Sequence, residues 1–369
     1  MKPRPFALER FFARYEFDTR YLLCSSDPES MSLRELLAYE PDAADALLDV
    51  WLGYTESRGS PELRRAIAAL YDRPGADGVL VHAGAQEPIF AFMNVALSPG
   101  DHIVAQVPAY QSHYSIAEAA GAEVTRWESD LDRDGAPDPD DLVRAIRPNT
   151  RGIVITSPNN PTGYVFDRER IDATVAIARK HGLWIFADEV YRGSERDPSD
   201  RIPAVCDLYE RGVSLGAMAK AYGLAGLRIG WIATQDAALY EQIAAFKDYL
   251  TICNPAPSEY AAALALRHND ALIERVRRIA ASNLDRLDAY FDGHRDIWEW
   301  TRPRAGTTAF PRYRAGSTQK LCADLVEHAG VLLLPSVAFD AGDERVRIGY
   351  GRKNLPEALA AMNDYLTAR

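Results

Sequence analysis

Three features of the chain predict an α/β fold. Between residues 79 and 234, seven short apolar runs alternate with stretches of helical periodicity, the pattern of βαβ units around a largely parallel sheet. After Pro255-Ala-Pro257 the pattern changes to one long helical stretch and then to short mixed elements, which predicts a second, smaller α+β lobe. At 369 residues the chain is long for a single core and suits two lobes.

The elements follow in order. Residues 5–16 set apolar and charged side chains at helical spacing and predict a short amphipathic helix whose aromatic face is used for packing, followed by a loop through Ser25-Ser26-Asp27-Pro28. Ser60 ahead of Pro61 caps a helix that runs to about Tyr71. Strands are expected near 79–83, 102–107, 123–127, 152–157, 183–188, 213–218 and 229–234, with helices near 86–97, 112–121, 139–147, 167–181 and 236–250. The long helical stretch covers about 258–291 and breaks near Asn269-Asp270. The remainder reads as strands near 297–301, 307–313 and 345–350 with helices near 317–329 and 354–367. Neither an internal repeat nor a low-complexity run interrupts the pattern.

Composition narrows the function. Apolar residues make up 47% and charged ones 26%, an ordinary globular balance. No apolar run approaches the eighteen or so residues of a membrane span, and Met1-Lys-Pro-Arg-Pro lacks the apolar core of a signal peptide, so a cytoplasmic protein without a membrane partner is expected. A net charge of −11 argues against a nucleic-acid partner. Cys24, Cys206, Cys253 and Cys322 form no Cys-x-x-Cys pair, and the seven histidines form no ligand spacing, so reduced thiols and no metal site are expected.

Chemistry concentrates around Lys220. Lysine is scarce, six residues against thirty-six arginines, yet this one lies in Gly216-Ala-Met-Ala-Lys-Ala-Tyr-Gly, where a charged amine is costly unless it reacts. Eight residues on, Arg228 offers a planar fork for a phosphate, and Gly223, Gly226 and Gly230 let backbone pass close to a bound group. An amine able to form a Schiff base beside a phosphate clamp suggests pyridoxal phosphate. The run 152–158 leads into Asn159-Asn160-Pro161-Thr162-Gly163, and 183–187 into Asp188-Glu189-Val190-Tyr191; both put polar groups at a strand's carboxyl end, where open α/β sheets bind ligands. Asp188 suits the pyridine nitrogen, and Asn160 and Tyr191 suit the phenolic oxygen. Singly, each segment also reads as an ordinary turn or strand end.

Together the motifs resemble the fold-type I pyridoxal-phosphate-dependent aminotransferases of classes I and II. They are Tyr54-Thr-Glu-Ser-Arg-Gly59 with Leu63-Arg64, Gly84-Ala85-Gln86, Pro108-Ala109-Tyr110, Asn160-Pro-Thr-Gly163, Asp188-Glu-Val-Tyr191, Lys220 with Arg228, and Val346-Arg347-Ile348. A nearer likeness is to capreomycidine synthase-like members, carried by 220–228, 300–306 and 330–335. The resemblance implies a large domain, 45–260, with a mostly parallel seven-stranded sheet, and a small domain of 1–44 plus 261–369. It implies a homodimer with shared sites, in which Tyr54 reaches the partner's phosphate and Asn254 lies at the interface.

Within one chain the expected roles are these. Lys220 binds the cofactor and acts as base, its pKa lowered by apolar surroundings and Arg228; Tyr110 stacks on the ring; backbone N–H groups of Gly84, Ala85 and Gln86 hold the phosphate with Arg228; Arg347 clamps the substrate carboxylate. Arg345 and Arg352 read as surface charges. Ala217 stands where the family carries a phosphate-binding hydroxyl, a loss of about 1.5–3 kcal/mol. The expected reaction moves an amino group from an L-amino acid to a 2-oxo acid. The alternatives are elimination and cyclisation of a hydroxylated arginine, against which Tyr54 counts, and, from another class, a non-catalytic cofactor-sensing domain of a transcription regulator. A dicarboxylate substrate needs a second arginine, and a basic one needs acids such as Glu56.

Overall fold

A computed structural model describes residues 2–133 and 135–368. Its centre is a seven-stranded sheet of β1 (Val79–His82), β2 (His102–Val107), β3 (Glu123–Glu128), β4 (Thr150–Thr156), β5 (Trp184–Asp188), β6 (Gly212–Ala217) and β7 (Gly230–Thr234), ordered β1-β7-β6-β5-β4-β2-β3. Neighbours from β3 to β6 pair in parallel, while β7 runs antiparallel to both β6 and β1. The central strands are buried along their length, as a sheet covered on both faces requires. One face packs under α5 (Gln86–Ala96), α6 (Ser112–Ala119) and α10 (Ala237–Lys247). Around Trp231 a second cluster gathers α4 (Pro61–Ala68) and α11 (Ala256–Arg267).

The reversed strand matters for the site. The chain leaves β6 at Ala217 and re-enters the sheet at Gly230 from the same edge, so the whole loop 218–229 stays at the carboxyl ends of β4, β5 and β6. Lys220 and Arg228 therefore sit at one end of the sheet.

The long helical stretch is two helices, α11 and α12 (Asn269–Asp292), parted at His268 beside the expected break. Other local expectations need correction. The strand expected over 307–313 is split into β9 (Thr308–Ala309), paired with β12 (Val346–Gly349), and β10 (Arg312–Tyr313), paired with β8 (Trp298–Glu299). Pro311 lies between them and has no N–H for a ladder. Leu334–Pro335, which extends the β12 sheet, and the short helices Leu33–Leu37, Ala43–Leu48 and Val205–Leu208 carry too little periodicity to be read beforehand.

The N-terminal segment crosses the small lobe. Tyr21 N–H donates to the Gly330 carbonyl at 2.9 Å, and Gly349 N–H to the Leu23 carbonyl at 2.8 Å. A Cβ on Gly349 would collide with the Ser25 carbonyl, so the crossing needs glycine there. Ahead of it, α1 (Ala7–Tyr15) buries Leu8 and Phe12 against Leu334 and Phe339, about 1.5–3 kcal/mol for each side chain. The four cysteines are free, three of them buried. Among the described residues no helix is long and apolar enough to cross a membrane.

Candidate active site

Strand ends, one helix start and the N-terminal segment enclose a cavity of about 410 Å³. Lys220, Asp188, Tyr191, Asn160, Tyr110 and Arg347 all line it, each from a different element or turn. Ala85, Gln86, Ala217 and Arg228 complete one end.

Lys220 Nζ donates to Ser26 Oγ at 2.8 Å. Burial pushes its pKa below the ordinary lysine value, Asp27 opposes that, and the cation acting with burial is Arg347 rather than Arg228. The Ser26 carbonyl accepts from Tyr191 OH at 3.0 Å and from Thr307 Oγ1 at 2.7 Å, so the lysine's partner is itself fixed from both lobes. Burial raises the pKa of the Tyr191 phenol, which stays a donor.

Asp188 caps β5. Its Oδ2 lies 2.9 Å from His113 Nε2, and its Oδ1 accepts the Val190 N–H at 3.2 Å. His113 Nδ1 is 3.3 Å from Thr156 Oγ1, so the imidazole bridges two strand ends. Sequence reasoning missed His113, although it stands three residues after Tyr110, close to one helical turn away.

Tyr110 is half-buried, its ring 4.8 Å from Phe6 and its hydroxyl donating to Glu9 Oε1 at 2.8 Å. Arg347 is buried on β12. Its Nε donates to the Cys24 carbonyl at 3.0 Å and its Nη1 to Asn160 Oδ1 at 3.2 Å, while Nη2 is enclosed without a partner. Two neighbours differ from expectation. Arg345 is buried, donating to the Phe310 and Leu131 carbonyls and to Asp132 Oδ1, because it shares a strand face with Arg347. Arg352 pairs with Asp27 at 2.8 Å, beside the cavity.

The residues fit pyridoxal phosphate. Helix α5 starts at Gln86 behind Ala85, which supplies no side-chain cap, so its first N–H groups and helix dipole are free for an anion. Arg228 packs so closely on Gly84 that any Cβ there would collide with the guanidinium, and a Cβ on Gly230 would stand 2.5 Å from the Gly84 carbonyl carbon. Backbone and guanidinium are thus drawn together as an anion cradle. Ala217 lines the cavity and adds no donor. Tyr54 lies outside the cavity on an exposed stretch, and Glu56 is exposed beside Arg64. Asn254 is buried, with its Nδ2 on Glu259 at 3.1 Å.

The family model for aminotransferase class I and II matches residues 21–362. The chain belongs to this family. This aminotransferase is 32% identical over 367 residues to capreomycidine synthase of Streptomyces vinaceus, across 97% of this chain and 93% of that one. In structure it is similar to a pyridoxal-phosphate-dependent aminotransferase from Streptococcus suis, with a TM-score of 0.94 and 30% identity over 100% of this chain and 99% of that one. It is also similar to the pyridoxal-phosphate-dependent cyclase OrfR, with a TM-score of 0.91 and 29% identity over 100% and 98%. The aminotransferase is therefore a pyridoxal-phosphate-dependent enzyme of fold type I, with amino acids and 2-oxo acids as its substrates.

Proposed function

We propose that Lys220, Asp188, Tyr191, Asn160 and Arg347 carry the amino transfer in this cavity. When bound, pyridoxal phosphate supplies an electrophilic carbon and an electron sink. Its phosphate would be held by the N–H groups of Ala85 and Gln86 together with Arg228, the Gly84 N–H expected to join them being already given to the His82 carbonyl at 2.9 Å; its ring would lie beneath Tyr110, and its pyridine nitrogen on Asp188, which His113 keeps oriented. Tyr191 OH and the Asn160 amide nitrogen are the donors for its phenolic oxygen.

The chain's own residues then divide the work. Arg347 presents Nη2 to the substrate carboxylate and so orients the α-carbon toward Lys220. Lys220 Nζ takes the proton from that carbon, and burial, which lowers its pKa, favours the neutral amine that can accept it. Ser26 Oγ holds the amine in place between proton transfers. The N-terminal segment and α1 close the cavity from above and limit water.

The observation that carries this reading is a buried guanidinium with one unpartnered nitrogen in the cavity that holds Lys220 and the Asp188–His113 pair. Mixing the holoenzyme with single amino acids, following the cofactor's absorbance and identifying the product tests it. A 2-oxo acid supports transfer. A ring product supports the second reading, elimination and cyclisation, which the 32% identity to capreomycidine synthase favours.

We also propose a cytoplasmic homodimer. Leu48, Trp51, Leu52 and Tyr54 are at least 79% exposed, and Tyr249 and Ile252 lie bare on a second segment tied to the first by Thr55 Oγ1 on the Asn254 carbonyl and Lys247 Nζ on the Ser57 carbonyl. Exposed apolar side chains gathered in this way are a feature of interaction surfaces. If Tyr54 serves the partner's phosphate, mixing Tyr54→Phe and Lys220→Ala subunits restores activity that neither homodimer has.

A further inference from the structure

The N–H groups proposed to hold the cofactor's phosphate lie where the chain turns from β1 into α5, and a turn this short needs outside contacts to keep its shape. Gly84 takes a φ of +75°, which favours glycine, and gives its N–H to the His82 carbonyl at 2.9 Å. Ala85 brings no side-chain cap, so its N–H and that of Gln86 are the open donors. Arg228 and Gly230 press on the turn at Gly84. Glu87 fastens it at Ala83.

Glu87 does not line the cavity, and its side chain is only 9% exposed. One oxygen, Oε2, accepts the Ala83 N–H at 2.7 Å and stands 3.2 Å from His82 Nδ1. The other, Oε1, accepts the Thr251 hydroxyl at 2.7 Å and the Thr251 N–H at 3.2 Å. Burial pushes the carboxyl's pKa up, but the bonds from His82, Ala83 and Thr251 hold it down to about 2, so the group is ionised at any working pH. A carboxylate in the first turn of α5 competes with a phosphate for the same helix end. Its presence there weakens phosphate binding unless the geometry it fixes outweighs the repulsion.

Thr251 belongs to a segment wrapped around Lys247. The Lys247 ammonium, buried, donates to the Ser57 carbonyl at 2.7 Å and to the Ile252 carbonyl at 2.9 Å. Burial lowers its pKa, and Glu87 is the leading charge that opposes this. The same segment carries Tyr249 and Ile252, which belong to the apolar patch proposed above to meet a second subunit. One carboxylate thus joins the turn before α5 to that surface.

We propose, resting on the phosphate cradle assigned above, that Glu87 is a positioning residue for the cofactor's phosphate: it fixes the direction of the Ala85 and Gln86 N–H groups and, through Thr251, ties cofactor retention to the segment 247–254. Glutamine cannot replace it. An amide has one acceptor oxygen, so whichever way it turns, its NH2 faces a backbone N–H, that of Ala83 or that of Thr251.

The test compares two ligands that differ only in the phosphate. The full chain, freed of cofactor, is titrated with pyridoxal phosphate and with pyridoxal, and the ratio of the two dissociation constants measures the hold on the phosphate alone. Glu87→Gln should lower that preference about tenfold or more, the share of one charge-assisted hydrogen bond, while pyridoxal itself binds within about threefold of the parent. Thr251→Val, a change at an exposed residue that leaves the carboxylate in place, should lower it about threefold, and it decides the matter should Glu87→Gln fail to fold. A preference that rises in Glu87→Gln would mark Glu87 as a mere charge at the helix end, and equal weakening of both ligands would mark it as packing; either result overturns the proposal, as does an unchanged preference in both variants. Arg228→Gln separates the two levels. If it too leaves the preference unchanged, the cradle is misplaced and both readings fall; if it lowers the preference and the other two variants do not, only the role of Glu87 falls.

Discussion

Arg347→Lys is the most informative single substitution, because the structure fixes what it removes. The guanidinium gives Nε to the Cys24 carbonyl and shares Nη1 with Asn160, leaving Nη2 for a ligand. A carboxylate seated on this fork uses Nη2 and the remaining hydrogen of Nη1. A lysine keeps the charge but offers a single point donor, so at least one charge-assisted hydrogen bond is lost, about 1.5–3 kcal/mol. At about 1.36 kcal/mol per factor of ten, kcat/KM for the amino donor should fall about 10- to 150-fold. Most of the loss belongs in KM, since the carboxylate is bound in ground and transition states alike. The Cys24 carbonyl also loses its donor, so the variant should be less stable by about 1–3 kcal/mol, measurable as a lower Tm. The assay compares each donor with the amine that lacks its carboxylate. The ratio of their kcat/KM values should collapse by the same 10- to 150-fold factor in Arg347→Lys. A fall of less than threefold, or an equal fall for the amine, would show that Arg347 does not hold the carboxylate.

Three further outcomes are expected. Borohydride reduction of the holoenzyme should label Lys220 alone, and label on Lys247, whose Nζ is taken by the Ser57 and Ile252 carbonyls, would end the assignment. His113→Asn should lower kcat and shift the cofactor's pH titration while leaving KM for the donor near its parent value; an unchanged titration would remove His113 as the group that orients Asp188. Glu189 is raised by burial from an ordinary 4.5 to about 7, so it contributes stability that is present below about pH 4.5 and lost as pH rises through 7; thermal melts should show Glu189→Gln gaining about 3 kcal/mol on the parent between pH 5 and 8, and a pH-independent difference would refute it.

Much of the candidate site was legible because its residues sit at strand ends, where local sequence decides position. Asp188 ends β5, and Asn160 and Lys220 follow β4 and β6 by a few residues, so reading strands was enough to find them. The eight-residue interval from Lys220 to Arg228 was also informative, since a loop that returns by an antiparallel strand keeps both at the same edge. What escaped was set by docking over long sequence distances. Arg345 reads as a surface charge until Leu131 and Asp132, more than two hundred residues away in sequence, come against it. The helix at 7–15 showed its amphipathic face, but that Glu9 and Glu16 border a cavity follows from distant contacts, Leu8 and Phe12 on Leu334 and Phe339, Arg4 on Asp340 and the Ala7 N–H on Gln111. Ser26 lay in a stretch that read as plain loop, and no local pattern ties it to Lys220, 194 residues on.

Other long-range contacts converge on Arg347 and order the end of the cavity proposed to take the substrate carboxylate. Its side chain is held by the N-terminal segment through Cys24, by the turn after β4 through Asn160, and by the rings of Phe12 and Phe339, whose centroids lie 5.7 and 5.6 Å from the guanidinium carbon. A long flexible side chain is thereby ordered before any ligand arrives, and the rotamer entropy that binding would otherwise cost is already spent in folding. The N-terminal segment is bound by the same constraint, because the residue after Ser25 touches Lys220 while Cys24 touches Arg347. One three-residue stretch therefore sets the spacing between Arg347, proposed to orient the substrate, and Lys220, proposed to move its proton. A substitution that loosens this stretch should cost rate even where it removes no group that meets the substrate, since proton transfer depends on that spacing.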